Sequence, residues 1–291
     1  MSLMGILDRV ADTAALDKLI DPARRAVQGV PQTVKDLLHG TWLGHPLHPV
    51  LAQVPVGSWV SAGVLDLLPP FRPAATTLIG VGVGAAVPTA LAGAADWSEQ
   101  AVGVRRLGAV HALANSAALG LYVGSLAARA RGRDGLGRVL SYTGLGVAGT
   151  SAAIGGHMSY AQSSGASHAA TAARALTSDW IDLGPLDDFP EGRPTLRTGS
   201  GNNVAVPLAA VRRGARVDVF LAACSHLAGP LDDGAVEVVR GADCLVCPWH
   251  GSAFDLDTGE PRRGPAANAQ EKLDVRMAAG RVMARVPERN R

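Results

Sequence analysis

At 291 residues with three cysteines, the chain is long enough for two domains and too poor in cysteine for a disulfide-stapled scaffold. Its 27 Lys and Arg against 25 Asp and Glu leave a net charge of +2, which argues against the strongly basic surface that nucleic acid demands. These averages conceal a divided chain, because an Ala-, Val-, Leu- and Gly-rich first half is followed by a polar, turn-rich second half.

In residues 1–42, Ile6, Val10, Leu16 and Ile20 alternate at near-helical spacing with Asp8, Arg9, Asp12, Lys18 and Asp21. That pattern predicts an amphipathic segment lying on the surface of a bilayer. Residues 43–160 then carry four apolar stretches, near 50–68, 74–95, 107–128 and 138–157. Each approaches the roughly 20 residues that a membrane-crossing helix needs. Arg72, Arg105, Arg106, Arg129, Arg131, Arg133 and Arg138 fall between or at the ends of these stretches, so the fold expected is a four-transmembrane-helix bundle with the lipid bilayer as its surroundings. Glycines such as Gly80, Gly84, Gly120, Gly124, Gly144 and Gly149 are spaced to let helix backbones approach one another.

An even number of spans returns the chain to its starting side, which gathers His45, His48, Asp96, His111 and His157 near one face and leaves Asp66 near the other. Ionisable side chains at membrane depth are costly, so a group of them marks a candidate site. Three readings stand open: helix-end residues with no ligand; a b-type haem held by two imidazoles, with His111 and His157 or one of His45 and His48; and a quinone or metal pocket in which His111 or Asp96 handles protons. The motifs Gly44-His45-Pro46-Leu47-His48-Pro49, Gly93-Ala94-Ala95-Asp96-Trp97 and His111-Ala112-Leu113-Ala114-Asn115 resemble a bacterial family of four-helix membrane domains without an assigned function. The resemblance implies a fold and an integral place in a bacterial cell membrane, and no activity.

Residues 161–178 are rich in Ser, Ala and Gly and read as a flexible linker. Across 179–288 the pattern becomes short β-type runs, among them Val217–Leu221, Val236–Val239 and Arg281–Val286, divided by Gly, Pro and Asp turns. An all-β antiparallel domain is expected there.

Within it, Cys224-Ser225-His226 and Cys247-Pro248-Trp249-His250 each place one thiol and one imidazole on a short loop. A zinc finger would normally keep its two cysteines together and its two histidines together. Mixed loops suit a two-iron cluster in which both cysteines hold one iron and both histidines the other. With Gly251-Ser252-Ala253-Phe254-Asp255, Thr258-Gly259 and Gly264-Pro265-Ala266, these motifs resemble the Rieske [2Fe-2S] domain family. The resemblance implies that Cys224 and Cys247 bind the buried iron and that His226 and His250 bind the exposed one. It places Ser252, Phe254 and Pro265 around the cluster. In high-potential members each ligand pair is accompanied by a disulfide cysteine and a tyrosine donates to a cysteine sulfur; here Gly229, Trp249 and Phe254 stand in those places. Fewer donors to sulfur predict an intermediate or low reduction potential. Cys244 is left over and is expected to be a buried strand residue.

The function expected is a membrane-anchored carrier of one electron at a time between a redox donor and an acceptor. The alternatives are a redox-responsive signalling module and a small quinol-oxidising component. No catalytic residue is assigned: after His250 no histidine remains to build the mononuclear iron site of an oxygenase. Cluster insertion favours a cytoplasmic β domain, although the arginines near the spans lean slightly the other way.

Overall fold

The computed structural model describes residues 3–176, 179–201 and 204–287, so the outermost residues of the expected segments (1–2, 177–178 and 288) lie outside it. The chain forms two compact units, one of residues 1–30 and 47–164 and the other of residues 31–46 and 165–291.

The first unit is helical. Four long helices, α4 (Leu47–Asp66), α5 (Arg72–Ser98), α6 (Val102–Arg129) and α7 (Asp134–Tyr160), fall where the apolar stretches predict them. They associate chiefly as two hairpins, α4 with α5 and α6 with α7. Trp59 of α4 stacks on Tyr122 of α6 at 4.2 Å between ring centroids, in a core with Ala62, Ala75 and Ile79. Val54, Val60, Val64, Val87, Leu91 and Leu113 are exposed, as lipid-facing side chains would be. By length and composition, two segments among the described residues are long and apolar enough to cross a membrane: 69–98, which holds α5, and 102–129, which is α6. Of the glycines singled out, Gly144 lies under Tyr122 and Gly124 lies beside Leu140, while Gly80, Gly84, Gly120 and Gly149 face open space.

The expected surface-lying segment is instead three helices divided between the units. α1 (Leu3–Asp12) and α2 (Asp17–Gln28) pack on the bundle, where Leu7 is buried with Leu107 and Ile154. Asp17 accepts two hydrogen bonds from Arg106, at 2.9 and 2.6 Å. The third, α3 (Gln32–His39), belongs to the second unit. There the buried side chains are Asp36 and His39 while Val34 and Leu37 stay exposed, an arrangement that the local period alone could not reveal.

The second unit is built on two antiparallel sheets. One has six strands, β1 (Ile181–Pro185), β2 (Pro194–Gly201), β3 (Val204–Arg213), β4 (Arg216–Leu221), β9 (Lys272–Ala278) and β10 (Arg281–Arg285), in the order β1-β10-β9-β4-β3-β2. The other has four, β5 (Ala235–Val239), β6 (Ala242–Val246), β7 (Ala253–Asp255) and β8 (Pro261–Arg263), in sequence order. Alternation along the strands gives the six-stranded sheet two apolar faces. Leu208, Ala210, Val219 and Leu221 pack with Leu183, Val282 and Ala284, while Ala209, Val211 and Phe220 pack with Leu245 and Phe254 of the second sheet. The segment expected to be a free linker contributes to the first of these cores. A short helix, α8 (Ala170–Ala175), is flanked by buried Ala169 and Leu176, so the small residues there serve close packing.

Candidate metal centre

Two six-residue loops present the four candidate ligands, and they share one backbone plan. In the first, after β4, the Cys224 amide donates to the Gly229 carbonyl (2.9 Å) and the Ala228 amide to the Cys224 carbonyl (2.8 Å). In the second, between β6 and β7, the Cys247 amide donates to Ser252 (2.8 Å) and the Gly251 amide to Cys247 (3.1 Å). The fifth residue of each loop adopts a left-handed conformation, Ala228 at φ 57° and Gly251 at φ 70°. Each turn then points backbone amides at its own sulfur: those of His226 and Leu227 at Cys224, and those of Trp249 and His250 at Cys247. Amides aimed at sulfur stabilise a thiolate.

The loops face one another. The two cysteine sulfurs are hydrogen-bonded partners, and the imidazoles of His226 and His250 stand 5.1 Å apart at 89°. The hydrogen bond from Cys224 holds the Cys247 thiol down at about 6 against the effect of burial, with help from the two amides. The same bond, then burial and the adjacent thiolate, pushes the Cys224 thiol up. Burial, followed by repulsion from His250, His39 and His168, lowers His226 to about 3, so its ring is neutral near pH 7. Its Nδ1 is buried without a hydrogen-bond partner. A neutral ring with an unused buried lone pair, next to two paired sulfurs, is the donor set that a mixed-ligand iron pair requires.

Close approach explains the departures seen in the sequence. A Cβ on Gly229 would sit 2.9 Å from the Cys247 sulfur and 3.1 Å from the Trp249 ring, so a larger residue there would displace one or the other. Ser252 and Phe254 are fully buried, and the Ser252 Oγ accepts the Ala266 amide at 2.9 Å. Cys244 lies on the opposite face of β6 from Leu245 and Cys247, among Val239, Val246 and Ala253, away from the ligand loops.

Two supporting residues escaped the sequence reading. Gln270, 2% exposed, donates to the carbonyls of Leu221 (2.8 Å) and Ala223 (2.9 Å) and accepts the Ser225 amide (2.8 Å), bracing the first loop. Arg263 donates to the Gly251 carbonyl at 2.9 Å and braces the second. Both lie outside the motifs, and neither residue type signals such a role by itself.

Of the five residues singled out around the helical domain, His48 and His111 are brought together. His45 lies in the second unit, with its ring against the Pro46 carbonyl at 3.1 Å. His48 and His111 do approach, with 6.3 Å between ring centroids. Their Nδ1 atoms meet the carbonyls of Thr89 (2.9 Å) and Ser151 (2.8 Å), and Asn115 meets His111 Nε2 at 3.0 Å. His157 has both ring nitrogens buried without a hydrogen-bond partner, and Asp96, near the end of α5, engages in interactions of its own. Among the described residues, no group of three or more His, Cys, Asp or Glu is arranged around a single metal ion; the two cysteines and two histidines of the matched loops stand as two pairs.

A buried pair of sulfurs and a pair of imidazoles, on matched loops of a two-sheet domain, suit a mixed thiolate–imidazole iron–sulfur centre. Residues 179–277 match the family described as Rieske [2Fe-2S] domain, and residues 44–173 match the family described as "Predicted membrane protein (DUF2231)". The anthranilate 1,2-dioxygenase ferredoxin subunit of Burkholderia cepacia is 30% identical over 108 residues, 37% of this chain and 93% of that protein. Ferredoxin CarAc of Metapseudomonas resinovorans is 31% identical over 105 residues, 35% of this chain and 90% of that protein. The chain therefore belongs, through its β domain, to the Rieske [2Fe-2S] family, and membership implies a [2Fe-2S] cofactor. Its helical part matches the family described as a predicted membrane protein and, among the described residues, holds two segments long and apolar enough to cross a membrane.

Proposed function

We propose that Cys224, His226, Cys247 and His250 hold the [2Fe-2S] cluster and that the chain is a membrane-anchored carrier of single electrons. The observation that carries this reading is the pair of matched loops, with amides on both sulfurs and an unused Nδ1 on His226. When bound, the cluster supplies reversible one-electron exchange. The protein's own part is to hold two thiolates and two neutral rings and to limit water around the sulfurs. Trp249, 58% exposed beside His250, offers an aromatic contact where a partner can dock at the histidine edge.

Relatives that are ferredoxin components of dioxygenase systems support a redox protein as donor or acceptor, and no substrate chemistry is assigned to the chain itself. All four long helices cross the bilayer in this reading, with the β domain on the cytoplasmic side. His48 and His111 act as interhelical clasps, each ring held by a carbonyl of a neighbouring helix. A haem between those two rings is the second reading, favoured by their approach alone. Quinone oxidation is not favoured, since Phe254 and Gly229 take the places of the tyrosine and cysteine of high-potential relatives.

The deciding experiment is anaerobic purification of the intact chain, with iron and acid-labile sulfide assays and optical and electron paramagnetic resonance spectra in both oxidation states. Two irons and two sulfides per chain with a Rieske-type reduced signal are expected. Zinc alone would overturn the proposal. A Soret band lost in His111→Ala, with the cluster signal intact, would establish the haem as well.

A further inference from the structure

In the second unit, α3 reaches the loop that flanks the metal centre. Asp36, 3% exposed, accepts the Gly264 amide at 2.9 Å from 228 residues away in sequence and pairs with Arg240 at 2.7 Å. Gln32 donates to the same carboxylate at 2.8 Å. Beside it His39, 1% exposed, packs so tightly on Gly264 that a Cβ there would lie 3.0 Å from its ring. The loop Gly264-Pro265-Ala266 is thus pinned at both ends, by Asp36 on the Gly264 amide and by Ser252 on the Ala266 amide at 2.9 Å. Because the Ser252 oxygen accepts a hydrogen bond from the Ala266 amide, the directions open to its own hydroxyl proton depend on where that loop sits.

We propose that Asp36 is a positioning residue for the iron–sulfur centre: it fixes the proline loop and, through Ala266, the hydroxyl that Ser252 offers to the cluster, while its ion pair with Arg240 sets the local charge. This rests on the cluster assignment above. Reduction adds one negative charge to the centre, so the nearby field and access of water both enter its potential. Removing the Asp36 charge leaves Arg240 unpaired, which favours the reduced state, whereas loosening the loop weakens what Ser252 offers to the cluster and disfavours it. Removing Arg240 leaves the carboxylate uncompensated and disfavours it.

The test uses the full-length chain in detergent or nanodiscs, comparing wild type with Asp36→Ala, Asp36→Asn and Arg240→Ala by protein-film voltammetry, electron paramagnetic resonance and the half-life of the cluster's visible absorption in air. The expected result is a raised potential in Asp36→Asn, which keeps an acceptor for the Gly264 amide, a lowered potential in Arg240→Ala, and in Asp36→Ala a potential below that of Asp36→Asn with several-fold faster bleaching. A merely structural role would alter half-life and leave potential and g values unchanged. If Asp36→Ala does not fold, the opposite shifts in Asp36→Asn and Arg240→Ala decide the question. Natively folded variants with wild-type potentials and g values overturn this proposal alone, whereas a wild-type chain without iron and sulfide overturns the cluster assignment with it.

Discussion

Ser252 has one proton to give, and the Ala266 amide already occupies a lone pair of its oxygen. Phe254, fully buried beside Cys224 and Cys247 in the same core, has none. A hydrogen bond to sulfur stabilises the more negative reduced state, so each donor raises the reduction potential. Ser252→Ala is therefore expected to lower the potential and Phe254→Tyr to raise it. The wild type is expected below roughly +200 mV, short of the upper end of the Rieske range. Protein-film voltammetry on the three proteins checks the order, and a shift of the reverse sign in either variant would contradict the argument. The two loops that carry the four candidate ligands were legible in the sequence because each loop is short and its chemistry is local. Gln270, Arg263 and Asp36 were not, because their partners are contributed by distant strands and loops and no periodicity records such pairing.

Among the elements, the four long helices were legible almost to their ends, since their apolar residues form continuous runs: the stretch expected at 50–68 is α4 (Leu47–Asp66). Charge was read less well. Arg129 looked like one of several loop arginines, yet it is the last residue of α6 and is buried against Asp66, the last of α4. Its Nη1 donates to Asp66 at 2.9 Å and to Thr76 of α5 at 3.3 Å, and Ser125 donates to the Gly137 carbonyl of α7 at 2.6 Å. This network ties all four helices at one end of the bundle, as His48 and His111 tie them at the other. Asp66→Ala would strand a buried guanidinium, a change that costs about 3–5 kcal/mol. Thermal unfolding in detergent should show that loss, and an unchanged midpoint would mean that water reaches Arg129. α3 and α8 show the converse limit: α3 buries Asp36 and His39 rather than Val34 and Leu37, and the small-residue composition of α8 announces a packed face without naming what covers it.

For the whole molecule, the division into units does not follow the order of the chain. Residues 31–46 leave the helical unit, join the β domain and return before α4 begins. Cysteine reporters placed in exposed positions of residues 31–46 and after residue 165, in a background lacking Cys244, are expected to react together with an impermeant maleimide, or to be protected together, in intact cells. Reaction of one alone would separate α3 from the β domain.

That excursion constrains any bilayer crossing by the helical part without reference to hydropathy. An aspartate at position 36 can hold the amide of residue 264 only if both stand on the same side of the lipid, so whatever passages are made between Pro46 and Gly165 must have even parity. Two crossings satisfy this and so do four; one or three would tear that buried hydrogen bond across the lipid.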